Sequence, residues 1–179
     1  MPWFRVSDLT GREWTTADAD ARPVSVIVFL SRHSPYVKHI ECHLAVLAQR
    51  LVAADVLVLA ISANDASAYP SDAPAMLREQ VNRVGFNFPY ALDESQQAAK
   101  AFQATCTPEF FVYDEELRLV YHGQYDDSRP DNAKPVTGGN VLQAVEAARN
   151  DEVVSGDQPL SLGCSIKWRA GNEPAYILG

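Results

Sequence analysis

The chain has 179 residues, enough for one domain with an appendage, and its 47% hydrophobic and 21% charged residues are ordinary globular usage. That composition excludes disorder, collagen or coiled coil for the whole chain, and no apolar run approaches the roughly 18 residues of a membrane span. Lys and Arg number 15 against 23 Asp and Glu, and the net charge of −8 argues against nucleic-acid and membrane partners.

Residues 1–22 read as a short β-rich lead-in, with Asp8-Leu9-Thr10-Gly11 as a turn before Trp14-Thr15-Thr16. Its first residues, Met1-Pro2-Trp3-Phe4-Arg5, lack the charged-then-apolar pattern of a secretory signal. Val24–Leu30 is apolar and β-branched except at Ser25, as expected of a strand buried on both faces. After Ser31-Arg32-His33-Ser34, the spacing of Val37, Ile40, Leu44, Leu47 and Leu51 predicts a helix with one buried stripe. Ser31 is its expected N-cap, with Pro35 in the tolerated first turn. Val56–Ser62 is a second buried strand.

Ser71 or Asp72 is the expected cap of a helix running to about Val84, with Pro74 in its first turn. Phe86–Leu92 is a short extended piece, and Asp93 and Gln96 have capping-box spacing for a helix through Phe102. Glu109–Tyr113 and Leu117–His122 read as a β-hairpin around Asp114-Glu115-Glu116. Thr137 or Asn140 starts a last helix through Arg149. Strands alternating with helices, closed by a hairpin, predict an α/β fold with a mixed central sheet and helices on both faces. Residues 1–150 make this domain. Residues 151–179 make an extension packed on it, anchored by Trp168, Tyr176 and Ile177.

The reactive position in such an order is the turn between the first long strand and its helix, where unpaired N–H groups and the helix dipole favour negative charge. A cysteine there becomes a nucleophile. This turn instead holds Ser31 and Ser34, spaced as a dithiol would be. The three cysteines, Cys42, Cys106 and Cys164, have neither CxxC nor zinc spacing, and an odd count leaves a free thiol. That fits a reducing, cytoplasmic setting.

The turn Ser31-Arg32-His33-Ser34-Pro35-Tyr36-Val37-Lys38-His39-Ile40 resembles the C-N-H-C-P-Y-V-K-H-I pattern of thioredoxin-like redoxins, the alkyl hydroperoxide reductase/thiol-specific antioxidant group. The match continues through Ser62-Ala63-Asn64-Asp65, Phe88-Pro89-Tyr90, Asp93-Glu94-Ser95-Gln96, Cys106-Thr107-Pro108-Glu109, Gly123–Pro130, Pro135–Gly138 and Gly163–Trp168. The resemblance implies a thioredoxin fold and a cis peptide at Thr107-Pro108 facing the active turn. It also implies thiol–disulfide or peroxiredoxin-like antioxidant chemistry, with a thiol/disulfide protein or a peroxide as substrate and no cofactor. Ser31 and Ser34 stand where the family has its attacking and resolving cysteines. A serine hydroxyl neither forms nor exchanges a disulfide, so ordinary dithiol activity is expected to be absent. Two origins fit the serines, natural loss or a double Cys→Ser substitution, and Arg32, which also departs from the pattern, favours natural loss. The alternative function is a non-catalytic module holding extended peptide along the cis-proline groove.

Other readings are weaker. Ser31 or Ser34 with His33 as base lacks an identifiable acid. His39 and His43, one turn apart, sit with Lys38 and Glu41 on a flank off the apolar stripe and lack a carboxylate partner for a metal. Cys106 lies close to the proline loop as a possible reactive thiol, and a bridge to Cys164 is open. Cys42 reads as a packing residue, and Arg129 as a brace for the Asp126–Pro130 loop.

Overall fold

A computed structural model describes residues 1–154 and 158–177. The lead-in forms β1 (Arg5–Asp8) and β2 (Glu13–Thr15), then a short helix α1 (Thr16–Asp20). This helix was not anticipated, because its apolar face is little more than Ala19. Next come β3 (Val24–Phe29), α2 (Pro35–Ala53), β4 (Val56–Ser62), α3 (Pro74–Val84), β5 (Tyr90–Leu92) and α4 (Gln97–Phe102). The chain continues through β6 (Cys106–Thr107), β7 (Glu109–Asp114), β8 (Leu119–Gly123) and α5 (Gly139–Arg149), and β9 (Cys164–Ser165) lies in the tail.

Seven strands make one sheet in the order β2-β1-β5-β4-β3-β7-β8. β3 runs parallel to β4 and antiparallel to β7, so the mixed sheet expected from the element order is present. The period of two along each central strand serves both faces. Val24, Val26 and Val28 of β3 join Val56, Val58 and Ala60 of β4 beneath α2, α3 and α5. Ile27, Phe29, Leu57, Leu59 and Ile61 face the other way, against Ala19, Ala98, Ala99 and Phe102. The stripe Val37, Ile40, Leu44, Leu47 and Leu51 is buried, as its spacing requires.

Several caps differ from expectation. Ser34, not Ser31, is the N-cap of α2, and Pro35 takes the first helical position, where a missing N–H costs nothing. α3 starts from Ala73 rather than Ser71 or Asp72. α4 starts from Gln96 with φ 61°, without the capping box, because the Gln96 side chain is drawn into the tail. α5 starts from Gly138, between the two expected positions. The hairpin's second strand begins two residues late, because Leu117 takes φ 58° in the turn. Glu41 is buried, not on a solvated flank, since Arg83 and Gln80 of α3 satisfy its carboxylate. Cys42 is exposed rather than buried in the core, contrary to its reading as a packing residue. The tail, read as an extended segment laid over the domain, pairs β9 with β6, and its residues 155–157 and 178–179 lie outside the described ones.

Candidate functional site

β3 ends at Phe29 and delivers Leu30 and Ser31 just past the C-terminal end of this central strand, where α2 begins after Ser34. Both serines are fully buried. Facing them is the Thr107–Pro108 peptide, which is cis, as the resemblance implies. The Ser31 and Thr107 hydroxyls are 2.7 Å apart. Ser34 Oγ donates to the Thr107 carbonyl at 3.1 Å rather than capping its own helix. Ser31, Ser34, Thr107 and Pro108 are thus brought together, and both hydroxyls are spent on the proline loop.

Cys106 is the sequence-predicted member that turns away. Successive side chains on a strand point to opposite sides, so Cys106 faces away from the serines that Thr107 meets. Its thiol lies 4.0 Å from the Pro108 carbonyl and 3.9 Å from the Ser161 carbonyl. Burial, and then the Glu109 carboxylate, push its pKa up to about 12. Such a thiol is mostly protonated at neutral pH, which weakens it as a nucleophile. The open bridge to Cys164 is not formed, and both thiols are free. Cys164 pairs with Thr107 and Cys106 with Ser165, so the thiols leave opposite faces of the ribbon.

The sequence reading missed the residue that organises the turn. Asp72, in a single turn of tight helix over Pro70–Asp72, is almost fully buried against Ser31–Ser34. One oxygen accepts from the Arg32 and His33 backbone N–H groups at 2.6 and 3.3 Å. The other accepts from the Asn64 amide at 2.8 Å and sits 2.5 Å from His33 Nδ1. An ionised carboxylate only accepts, so His33 Nδ1 donates to it, and Nε2 is buried with no partner among the described residues. The only sequence signal was a polar residue at a helix start, which has a simpler use as a cap. Arg32 is fixed from outside by Glu79 of α3, at 2.9 and 3.1 Å.

The tail completes the wall. Lys167 N–H donates to Asn64 Oδ1 at 2.8 Å, so Asn64 touches both Asp72 and the tail. The Lys167 carbonyl accepts from Asp65 N–H and from the Gln96 amide. Tyr69 stacks on His33 with centroids 6.2 Å apart, and the Lys167 ammonium is 5.7 Å from the Tyr69 ring centroid. Beneath Pro108, buried Glu109 accepts from the Thr105 and Cys106 N–H groups at 2.6 and 3.2 Å and meets His122 Nε2 at 2.7 Å. A cleft of about 360 Å³ beside the turn is lined by Asn64, Asp65, Asp72, Asp93, Glu94 and Arg169. Its mostly acidic rim disfavours anions.

Of the histidine pair, His39 Nε2 is buried with no partner among the described residues, whereas His43 has one. His43 Nδ1 is 2.8 Å from the Tyr125 hydroxyl. No group of three or more metal-type side chains gathers among the described residues. Arg129 does brace its loop, but through the Asp126 and Ser128 carbonyls and the Gln124 side chain, not through a carboxylate. The Asp126 carboxylate instead gathers N–H groups of Ser128, Thr137 and Gly138.

The model of the AhpC/TSA family matches residues 1–122. The chain belongs to the AhpC/TSA family. It is similar to a hypothetical protein from Sinorhizobium meliloti, with 42% identity, a TM-score of 0.91 and 94% of this chain covering 92% of that one. An uncharacterized conserved protein from Geobacillus kaustophilus gives 40% identity and a TM-score of 0.90, over 94% and 89% of the two chains. A secreted disulfide oxidoreductase from Mycobacterium tuberculosis shares the fold, with 14% identity, a TM-score of 0.61 and coverage of 80% and 95%. No curated protein matches the chain. This AhpC/TSA member is therefore a thioredoxin-fold redoxin.

Proposed function

We propose that this redoxin-family protein has exchanged dithiol chemistry at its active turn for a hydroxyl clamp. The observation that carries the reading is that Ser31 and Ser34 both bond to Thr107, the residue before the cis-proline. Thiol–disulfide exchange needs a thiolate that attacks one sulfur and releases another. Neither serine supplies it, and the nearby Cys106 is buried and protonated. The two serines stand in this reading for the family's attacking and resolving cysteines, and the peroxide or disulfide substrates of the family are not turned over. Free Cys42, Cys106 and Cys164 suit a reducing compartment such as the cytoplasm.

Insulin reduction and thiol-dependent peroxide consumption, assayed on the unaltered chain and on Cys106→Ser, test this. Rates at the uncatalysed background for both proteins are expected. Turnover by the unaltered chain would overturn the reading, and its loss in Cys106→Ser would transfer the chemistry to that thiol. A peptide-holding module is the weaker reading, because the tail already pairs with the β6 edge that an extended peptide would use.

A further inference from the structure

The tail crosses from one side of the site to the other. The Gln158 side chain bonds Val120 and His122 of β8, and the Pro159 carbonyl accepts from Gln124 N–H at 3.1 Å. Leu160-Ser161-Leu162 then arches over Cys106, and β9 lands on β6. Beyond the arch, buried Ile166 and the bonds of Lys167 and Arg169 hold the chain firmly. The arch itself is thinly held. Leu160 is 79% and Leu162 59% exposed, so little apolar area ties it down. β9 contributes only two residues of pairing.

Its landing is also sterically exacting. A Cβ on Gly163 would lie 2.3 Å from the Thr107 carbonyl oxygen and 2.7 Å from its carbon, both backbone atoms. Only glycine lets the strand approach the proline loop this closely. The Cys106 thiol is covered by the same segment through the Ser161 carbonyl.

We propose that residues 159–165 form a latch that opens as a unit between fixed ends at Gln158 and Ile166, baring Cys106 and the β6 edge while the domain stays folded. Local opening of thinly packed, backbone-bonded segments below the global unfolding energy is general behaviour. The latch has a defined consequence here. Opening removes the cover over Cys106 and frees the backbone groups of Cys106 and Thr107 for another extended strand. It goes beyond the hydroxyl-clamp reading and does not depend on it, since it concerns access and not dithiol turnover.

The test uses Cys42→Ser/Cys164→Ser as background, so that Cys106 is the only thiol, and follows its alkylation by iodoacetamide at pH 8. Adding Gly163→Val should force the latch off and speed labelling at least about tenfold, with circular dichroism unchanged, because an uncovered thiol regains thiolate character. An unchanged rate in a natively folded Gly163→Val protein overturns the proposal. Hydrogen exchange on the unaltered chain decides the matter independently, even where that variant fails to fold. Amides of residues 160–165, together with Gln124 N–H, should exchange well ahead of those in β3 and β4. Exchange of the latch amides only together with β3 and β4 overturns it.

Discussion

Ser31 Oγ lies 2.7 Å from Thr107 Oγ1 across 76 positions of sequence. The contact joins the end of β3 to the residue before the cis-proline, and Ser34 adds a second tie from the first turn of α2. The resemblance places the family's two cysteines at these hydroxyls, so introducing sulfurs there is a direct trial of the clamp reading. Ser31→Cys with Ser34→Cys is expected to give, under mild oxidant, a reversible intramolecular disulfide, seen as the loss of two hydrogen atoms by mass, which the unaltered chain lacks. The thiol at position 31 should titrate below the usual value of about 8.5, because the α2 N-terminus favours thiolate. A double variant that stays reduced under mild oxidant would show that more than the sulfurs has diverged.

Asp72 is the next target. Its carboxylate is buried and receives two backbone N–H groups, an amide and an imidazole N–H. Asp72→Ala leaves those donors buried without an acceptor, which should cost about 3 kcal/mol in urea unfolding. Glu79→Ala, which removes the half-exposed partner of Arg32 and Arg83, should cost less than about 1 kcal/mol. Equal losses from the two variants would contradict the central place given to Asp72.

The Gln124–Gly138 loop should loosen in acid. Burial raises the Asp126 pKa, but bonds from Ser128, Gly138 and Thr137 outweigh it and bring the value below the usual 3.8. A depressed folded-state pKa contributes stability that is present above the unfolded value and lost as pH falls through the folded one. The loss therefore begins below about pH 4. In Asp126→Asn that segment of the acid profile should flatten, as read by fluorescence-detected unfolding between pH 2 and 5.

Gly138 starts α5 at φ 63°, and a Cβ there would meet Leu47 Cδ2 and Tyr125 Cζ at 2.8 Å. Gly138→Ala combines left-handed backbone strain with overpacking, and about 2 kcal/mol of destabilisation is expected in thermal melts. A melting temperature unchanged from the parent would mean that the loop moves aside freely.

What could be read from the sequence followed the physics of pattern. Val24–Phe29 and Val56–Ser62 announced buried strands because both sheet faces are covered, and the stripe from Val37 to Leu51 announced its helix. The serines and the Thr107–Pro108 loop were legible through the resemblance. Asp72 was misread as a cap and Gln96 as the capping-box partner of Asp93 because local spacing offers a nearby group, whereas each side chain reaches a distant backbone. Burial of Glu41 depended on Arg83, 42 positions on, which no local period encodes. The β6–β9 pairing rests on two residues a side, too few to produce an alternation.

Asn64 ties the order of folding to the completeness of the site. Its amide reaches Asp72, and its carbonyl oxygen waits for the Lys167 N–H, made more than a hundred residues later. On the ribosome, the sheet and helices up to α5 can assemble while the wall that flanks Thr107 is still unmade, since domains fold as units during synthesis. Contacts of such long sequence separation are slow to close. Until residues 161–165 are made, the proline loop and Cys106 lack the cover that β9 and the Ser161 carbonyl give them in the finished fold.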